Sequence, residues 1–130
     1  MAHTPKYYET LTDETRERLF AAMRNIDTRA QSYLERGYKM GRGTGMSIPV
    51  GAAHFDEIIR GEGLSAYLRA LRTGLCPTDA EGAAKAESRS IIKSHNSKRA
   101  KDVCWQRADM AVDSIIETAH HEIVNAVINR

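Results

Sequence analysis

Cysteine is scarce in this chain. There are two, Cys76 and Cys104, in 130 residues. They lie too far apart for a CxxC motif and have no histidine at a zinc-finger spacing, which excludes a disulfide framework and a structural zinc site as organising principles. Aromatic residues are scarce too, at 6% of the chain with a single tryptophan. No apolar run approaches the ~20 residues needed to cross a bilayer. The opening "MAHTPKYYETLTDE" has no apolar centre of the kind a secretory signal carries. Together these give the expectation of a cytoplasmic protein with reduced thiols and no membrane partner. A large charge of one sign is also missing. Nineteen basic residues stand against seventeen acidic ones, a formal net charge of +2. Any polyanion-binding surface must therefore come from how the charge is distributed.

Apolar residues make up 42% and charged residues 28%, which is ordinary globular composition. The apolar share leans on Ala, Ile, Leu, Val and Met, and alanine favours helix. The length fits one domain with enough interior to fold without staples. No segment shows the strict alternation of a half-buried strand, although "MSIPV" is compatible with a short one. The expected fold class is all-α: a single helical domain over 1–130, with about five helices.

The first helix is predicted near 13–36. Thr12 is its N-cap, and Asp13 and Glu14 sit in the first turn, where the helix dipole favours anions. Leu19, Met23, Ile26, Ala30, Tyr33 and Leu34 recur at spacings of three and four, with Gly37 as the stop. A basic glycine-rich loop, 37–51, follows. "AAHFDEIIRGEG" then predicts a short helix with Phe55, Ile58 and Ile59 inward, ending at Gly61 or Gly63. "LSAYLRALRTG" predicts another, with Leu64, Tyr67, Leu68 and Leu71 inward and Gly74 as stop. "TDAE" at 78–81 reads as a capping box for a fourth helix to about Ser94. Asn96 or Ser97 would cap a long last helix carrying Val103, Ala108, Val112, Ile115, Ala119, Ile123 and Ala126. The long first and last helices are expected to frame the core.

The chemistry-bearing patterns are mostly basic. Between Lys85 and Arg107 there are seven Lys/Arg (Lys85, Arg89, Lys93, Lys98, Arg99, Lys101 and Arg107) against Glu87 and Asp102. Lys85, Arg89 and Lys93 are spaced i, i+4, i+8 and so share one face of the fourth helix. Lys98, Arg99 and Lys101 cluster beside Ser94, His95, Asn96 and Ser97, all able to bond phosphate oxygens. Several cations along a rigid face with short donors nearby is what a backbone-reading surface requires. Trp105 could stack on a base if exposed, against the plainer reading of a core tryptophan. In the glycine loop, Arg36, Lys39, Arg42 and Thr44 are the candidate anion donors. However, "GRGTG" does not match GxxxxGK[ST] and lacks the flanking strand and helix of a dinucleotide fingerprint, so a plain linker is the competing reading. The two short helices around "GEG" also raise a helix-turn-helix.

The last helix carries the opposite charge. Asp109, Asp113, Glu117 and His121 form an i+4 ladder, which reads as a solvated acidic face or one that pairs with the basic fourth helix or another subunit. Glu117 and His120 make one Glu-x-x-His pair, where a carboxylate-bridged di-metal bundle needs two and further glutamates. His120-His121-Glu122 is not a zincin motif, and neither cysteine nor the adjacent Ser94 and His95 define a nucleophile with its base. No cofactor, metal or catalytic constellation is expected. Two function classes follow. One is a cytosolic nucleic-acid-binding accessory protein that holds DNA or RNA backbone phosphates through Lys85, Arg89, Lys93, Lys98, Arg99 and Lys101. The other is a helical protein-interaction module, an inhibitor or adaptor, whose charged faces meet a protein partner or build a homo-oligomer.

Overall fold

The computed structural model describes residues 4–40, 52–95 and 102–128, and among them the chain is all-helical. A 3-10 turn, Tyr7–Thr10, precedes four α-helices: α1 Asp13–Met40, α2 Ala53–Thr73, α3 Pro77–His95 and α4 Asp102–Ile128. Successive helices run antiparallel. The contacts give the direction: Gly37 of α1 lies against Ile58 and His54 of α2, while Gly61 lies against Ala30 and Leu34. At the far ends Arg72 reaches Asp27. On the other side, the rings of Phe55 and His95 pair across α2 and α3, and Lys85 and Arg89 of α3 meet Glu117 and Asp113 of α4. The result is an up-down-up-down bundle.

Five helices were expected and four are observed, because neither glycine of "GEG" ends a helix. Both Gly61 and Gly63 are helical and buried. A β-carbon at Gly61 would stand 2.6 Å from Leu34 Cγ and 2.9 Å from the Ala30 carbonyl oxygen; one at Gly63 would stand 2.5 Å from Val112 Cγ2. Glycine here serves close helix approach rather than chain reversal, and α2 runs unbroken for 21 residues. The helix-turn-helix reading ends with that continuity. Gly37 is likewise no stop. It is buried within α1, which continues to Met40, because a β-carbon there would meet Ile58 Cγ1 at 2.5 Å. Arg36 and Lys39 are therefore helical residues and not loop residues.

The true stop after α2 is Gly74, at φ +108°, where its N–H reaches the Ala70 and Leu71 carbonyls. Thr12 caps α1 as its sequence indicates. Its Oγ1 accepts from Thr15 N–H at 3.2 Å, and its carbonyl accepts from Arg16 N–H at 2.8 Å. The capping box at 78–81 gives way to a simpler start. Pro77 takes the first helical position and the Cys76 carbonyl accepts from Ala80 N–H at 2.8 Å, which places Thr78 inside α3. The proposed caps at Asn96 and Ser97 and the segment "MSIPV" lie outside the described residues.

The core lies between the four helices, and both α2 and α4 pack on all three others. Ile59, Leu64, Tyr67 and Leu68 are fully buried there. Leu19, Met23, Ile26 and Ala30 meet them from α1, Ala80, Ala84 and Ile92 from α3, and Ala108, Val112, Ile116, Ala119 and Ile123 from α4. On α4 Ile116 is buried and Ile115 only half so, a shift of one position from the expected stripe. No described helix is long and apolar enough to cross a membrane.

The glycine contacts predict opposite signs for one substitution. Gly82 on α3 is exposed, with nothing within 4 Å of an added β-carbon. Gly82→Ala should raise stability by up to about 1 kcal/mol through helix propensity alone. Gly61→Ala should lower it by about 1–3 kcal/mol, because the methyl meets a backbone carbonyl that cannot yield. Thermal unfolding followed by circular dichroism checks both, and a stabilised Gly61→Ala would refute the close-approach account.

Candidate nucleic-acid interface

The antiparallel topology gathers the C-terminal ends of α1 and α3 and the N-terminal ends of α2 and α4 at one pole. The described helix ends that flank both basic stretches of the sequence belong to this pole. The two connecting segments, with one helical turn on either side (37–56 and 92–105), hold six Lys/Arg against two Asp/Glu. The rest of the chain holds thirteen against fifteen. Near-zero net charge therefore conceals two basic stretches in the sequence and a mildly acidic remainder.

The individual cations differ in what surrounds them. On α3, Lys85 is held: its Nζ lies 3.0 Å from Glu117 Oε1 and 3.9 Å from Glu81. The Arg89 guanidinium donates to Asp113 Oδ2. Lys93 is exposed in the last turn and has no ion-pair partner among the described residues. Lys98, Arg99 and Lys101 lie outside the described residues, as does the Trp105 side chain. At the end of α1, Arg36 is engaged. It bonds Glu57 at 3.2 Å and Ser32 Oγ at 2.8 Å, with its guanidinium 4.8 Å from the Tyr33 ring centroid. Lys39 is exposed and only loosely paired with Glu35, at 3.5 Å. Arg42 and Thr44 fall outside the described residues. Arg107, on α4 near the pole, reaches Asp56 at 3.2 Å.

The short donors beside the basic cluster are partly consumed inside the helix. Ser94 Oγ donates to the Ile91 carbonyl at 2.8 Å, and His95 Nδ1 donates to the same oxygen at 3.0 Å. Among exposed apolar side chains, Tyr38, Met40 and Met110 all stand in the halves of α1 and α4 nearest this pole. An aromatic and two thioethers beside cations make a surface suited to flat, polarisable groups.

Two features escaped the sequence reading. The first is a hydrogen bond between the Tyr67 hydroxyl and His120 Nδ1, 3.0 Å apart, joining α2 to α4 in the interior. Burial raises the Tyr67 hydroxyl well above its ordinary pKa, so it stays neutral. His120 thus turns towards α2 while Glu117 turns towards α3, which separates the Glu-x-x-His pair. No group of three metal-ligating side chains occurs among the described residues. The second is a forked pair: both Arg29 nitrogens, NH1 and NH2, reach Glu122, at 2.9 and 2.8 Å. The pair clamps α1 to α4. Neither shows a sequence signal, since the partners lie 53 and 93 positions apart.

The acidic ladder contains one misfit. Asp109 is half-buried and its Oδ1 has no partner among the described residues. Burial raises its carboxyl pKa; Arg89 opposes that rise and Asp113 adds to it. A carboxyl whose pKa is raised by folding weakens the native state once it ionises. That cost is in force at neutral pH and vanishes below the ordinary value of 3.8, where both folded and unfolded chains hold the proton. Asp109→Asn should therefore raise the melting temperature at pH 7, with the difference from wild type closing as pH falls below 3.8. A variant less stable than wild type at pH 7 would show that the carboxylate is stabilised by Arg89 instead.

No protein-family model, no curated protein and no solved structure matches this chain.

Proposed function

We propose that this protein is a small nucleic-acid-binding accessory protein that meets backbone phosphates at the basic pole of its bundle. One observation carries the reading: the helix ends that flank two basic stretches, with cations more than forty positions apart in sequence, meet at one end of the bundle, while the chain as a whole is almost neutral. Lys93 and Lys39, at the described helix ends, are the first contacts, and Lys98, Arg99, Lys101, Arg42 and Thr44 of the connecting stretches join them in this reading. Lys85 and Arg89 stand further along α3 and are engaged with α4. Clustered cations on a rigid frame attract a polyanion through counterion release and give binding that reads charge and shape rather than base sequence.

The alternative, a protein-interaction module with opposed charged faces, draws on the α3 and α4 stripes, and those stripes already meet each other within one molecule. This favours the nucleic-acid reading.

Fluorescence anisotropy with a labelled mixed-sequence DNA duplex and an RNA hairpin, over a range of salt, tests the proposal. Log affinity should fall linearly with log salt by several units on duplex DNA, at about 0.9 per phosphate neutralised. Reversing Lys93 and Lys98 to Glu should remove about two of those contacts and weaken DNA and RNA alike, with the helical signal unchanged. Failure to bind either probe at low salt, or binding indifferent to the reversal, would overturn the assignment.

A further inference from the structure

The α3–α4 seam follows one register. Lys85 faces Glu117 and Arg89 faces Asp113, each pair moved by four residues in opposite directions. Carried on in the same register, Lys93 stands level with Asp109 and Glu81 level with His121. The sequence therefore supplies three rungs of Lys or Arg against Asp or Glu, one per helical turn, of which two are made. The rung nearest the basic pole is open: Lys93 is exposed, and Asp109 forms no ion pair among the described residues. Along α4 the acids recur every four residues, about 6 Å apart, so α3 faces a rigid row of anions.

We propose that this row is an intramolecular clasp that occupies Lys85 and Arg89 in place of nucleic-acid phosphates and restricts binding to the pole. The inference rests on the polyanion-binding reading above. Carboxylates at the tips of α4 side chains offer lysine and arginine the same acceptor chemistry as phosphate oxygens. Arg89 and Glu117 are about half exposed, at 46% and 52%, while their partners Asp113 and Lys85 are largely covered, at 25% and 23%. Each pair is thus screened by water on one side, where an arriving anion can compete for the cation. The clasp opens rung by rung from the pole, where Lys93 has no ion-pair partner among the described residues, and each rung released lengthens the phosphate-binding stripe by one turn of α3. The molecule thereby holds a short, weak site at rest and a longer one once a dense polyanion outcompetes the acids.

The test compares wild type with Asp113→Asn/Glu117→Gln by anisotropy on the same duplex across salt. A second pair, Glu14→Gln/Glu17→Gln, adds the same charge at the opposite pole, where both acids are exposed. The clasp predicts tighter binding for the ladder variant and a salt slope steeper by up to about 1.8, from two further phosphates at about 0.9 each. The distal pair should leave the slope unchanged. Adding Lys85→Gln/Arg89→Gln to the ladder variant should abolish the gain. If the ladder and distal variants shift alike, or neither shifts, the clasp is wrong and binding at the pole stands. If wild type does not bind at low salt but the ladder variant does, the clasp is upheld and the resting pole is not a site. If neither binds, both readings fall. Should the ladder variant lose its helical signal, Glu117→Gln alone carries the comparison, with half the slope change.

Discussion

The close approach of α2 to its neighbours is the constraint on which the rest of the structure depends. Gly61 against Ala30 and Leu34, Gly63 against Val112, and Gly37 against Ile58 leave no room for a β-carbon. Those three contacts let a helix of ordinary length sit between two long ones and touch a third. From that central place α2 buries Ile59, Leu64, Tyr67 and Leu68 completely, and its Tyr67 hydroxyl meets His120. A glycine inside a helix costs about 1 kcal/mol of propensity relative to alanine. That cost is offset by the apolar surface buried when helix axes approach, at about 25 cal/mol per Å².

In the up-down-up-down order α3 and α4 lie side by side, and their charges then decide what surface the bundle presents. The basic stripe of α3 and the acidic ladder of α4 neutralise each other across the seam. Lys93, in the last turn of α3, has no ion-pair partner among the described residues. Charge segregation in this molecule is thus a product of packing order. The same residues on a bundle with α3 and α4 apart would display a basic face and an acidic face, each open to a partner.

Several elements were legible because their signals are local. Thr12, the stripe from Leu19 to Ala30 and the left-handed Gly74 each depend on residues within a few positions, and each appears where its spacing places it. The failures share one cause. At Gly37, Gly61 and Gly63, the same residue type that ends a helix elsewhere instead admits a neighbouring helix, and no local pattern distinguishes the two uses. Of the candidate site, the spacing of Lys85, Arg89 and Lys93 on one face was legible. The occupancy of the first two was not, because their partners come from another helix.

The sequence by itself determined the helical class, the apolar faces and the positions of the charges along the chain, since these follow from period, propensity and composition. Only the tertiary structure decided which glycines are contacts, which cations are engaged, and that the helix ends flanking two distant basic stretches share one pole. Those are relations between helices, and a helix carries no information about its neighbour until the two have packed.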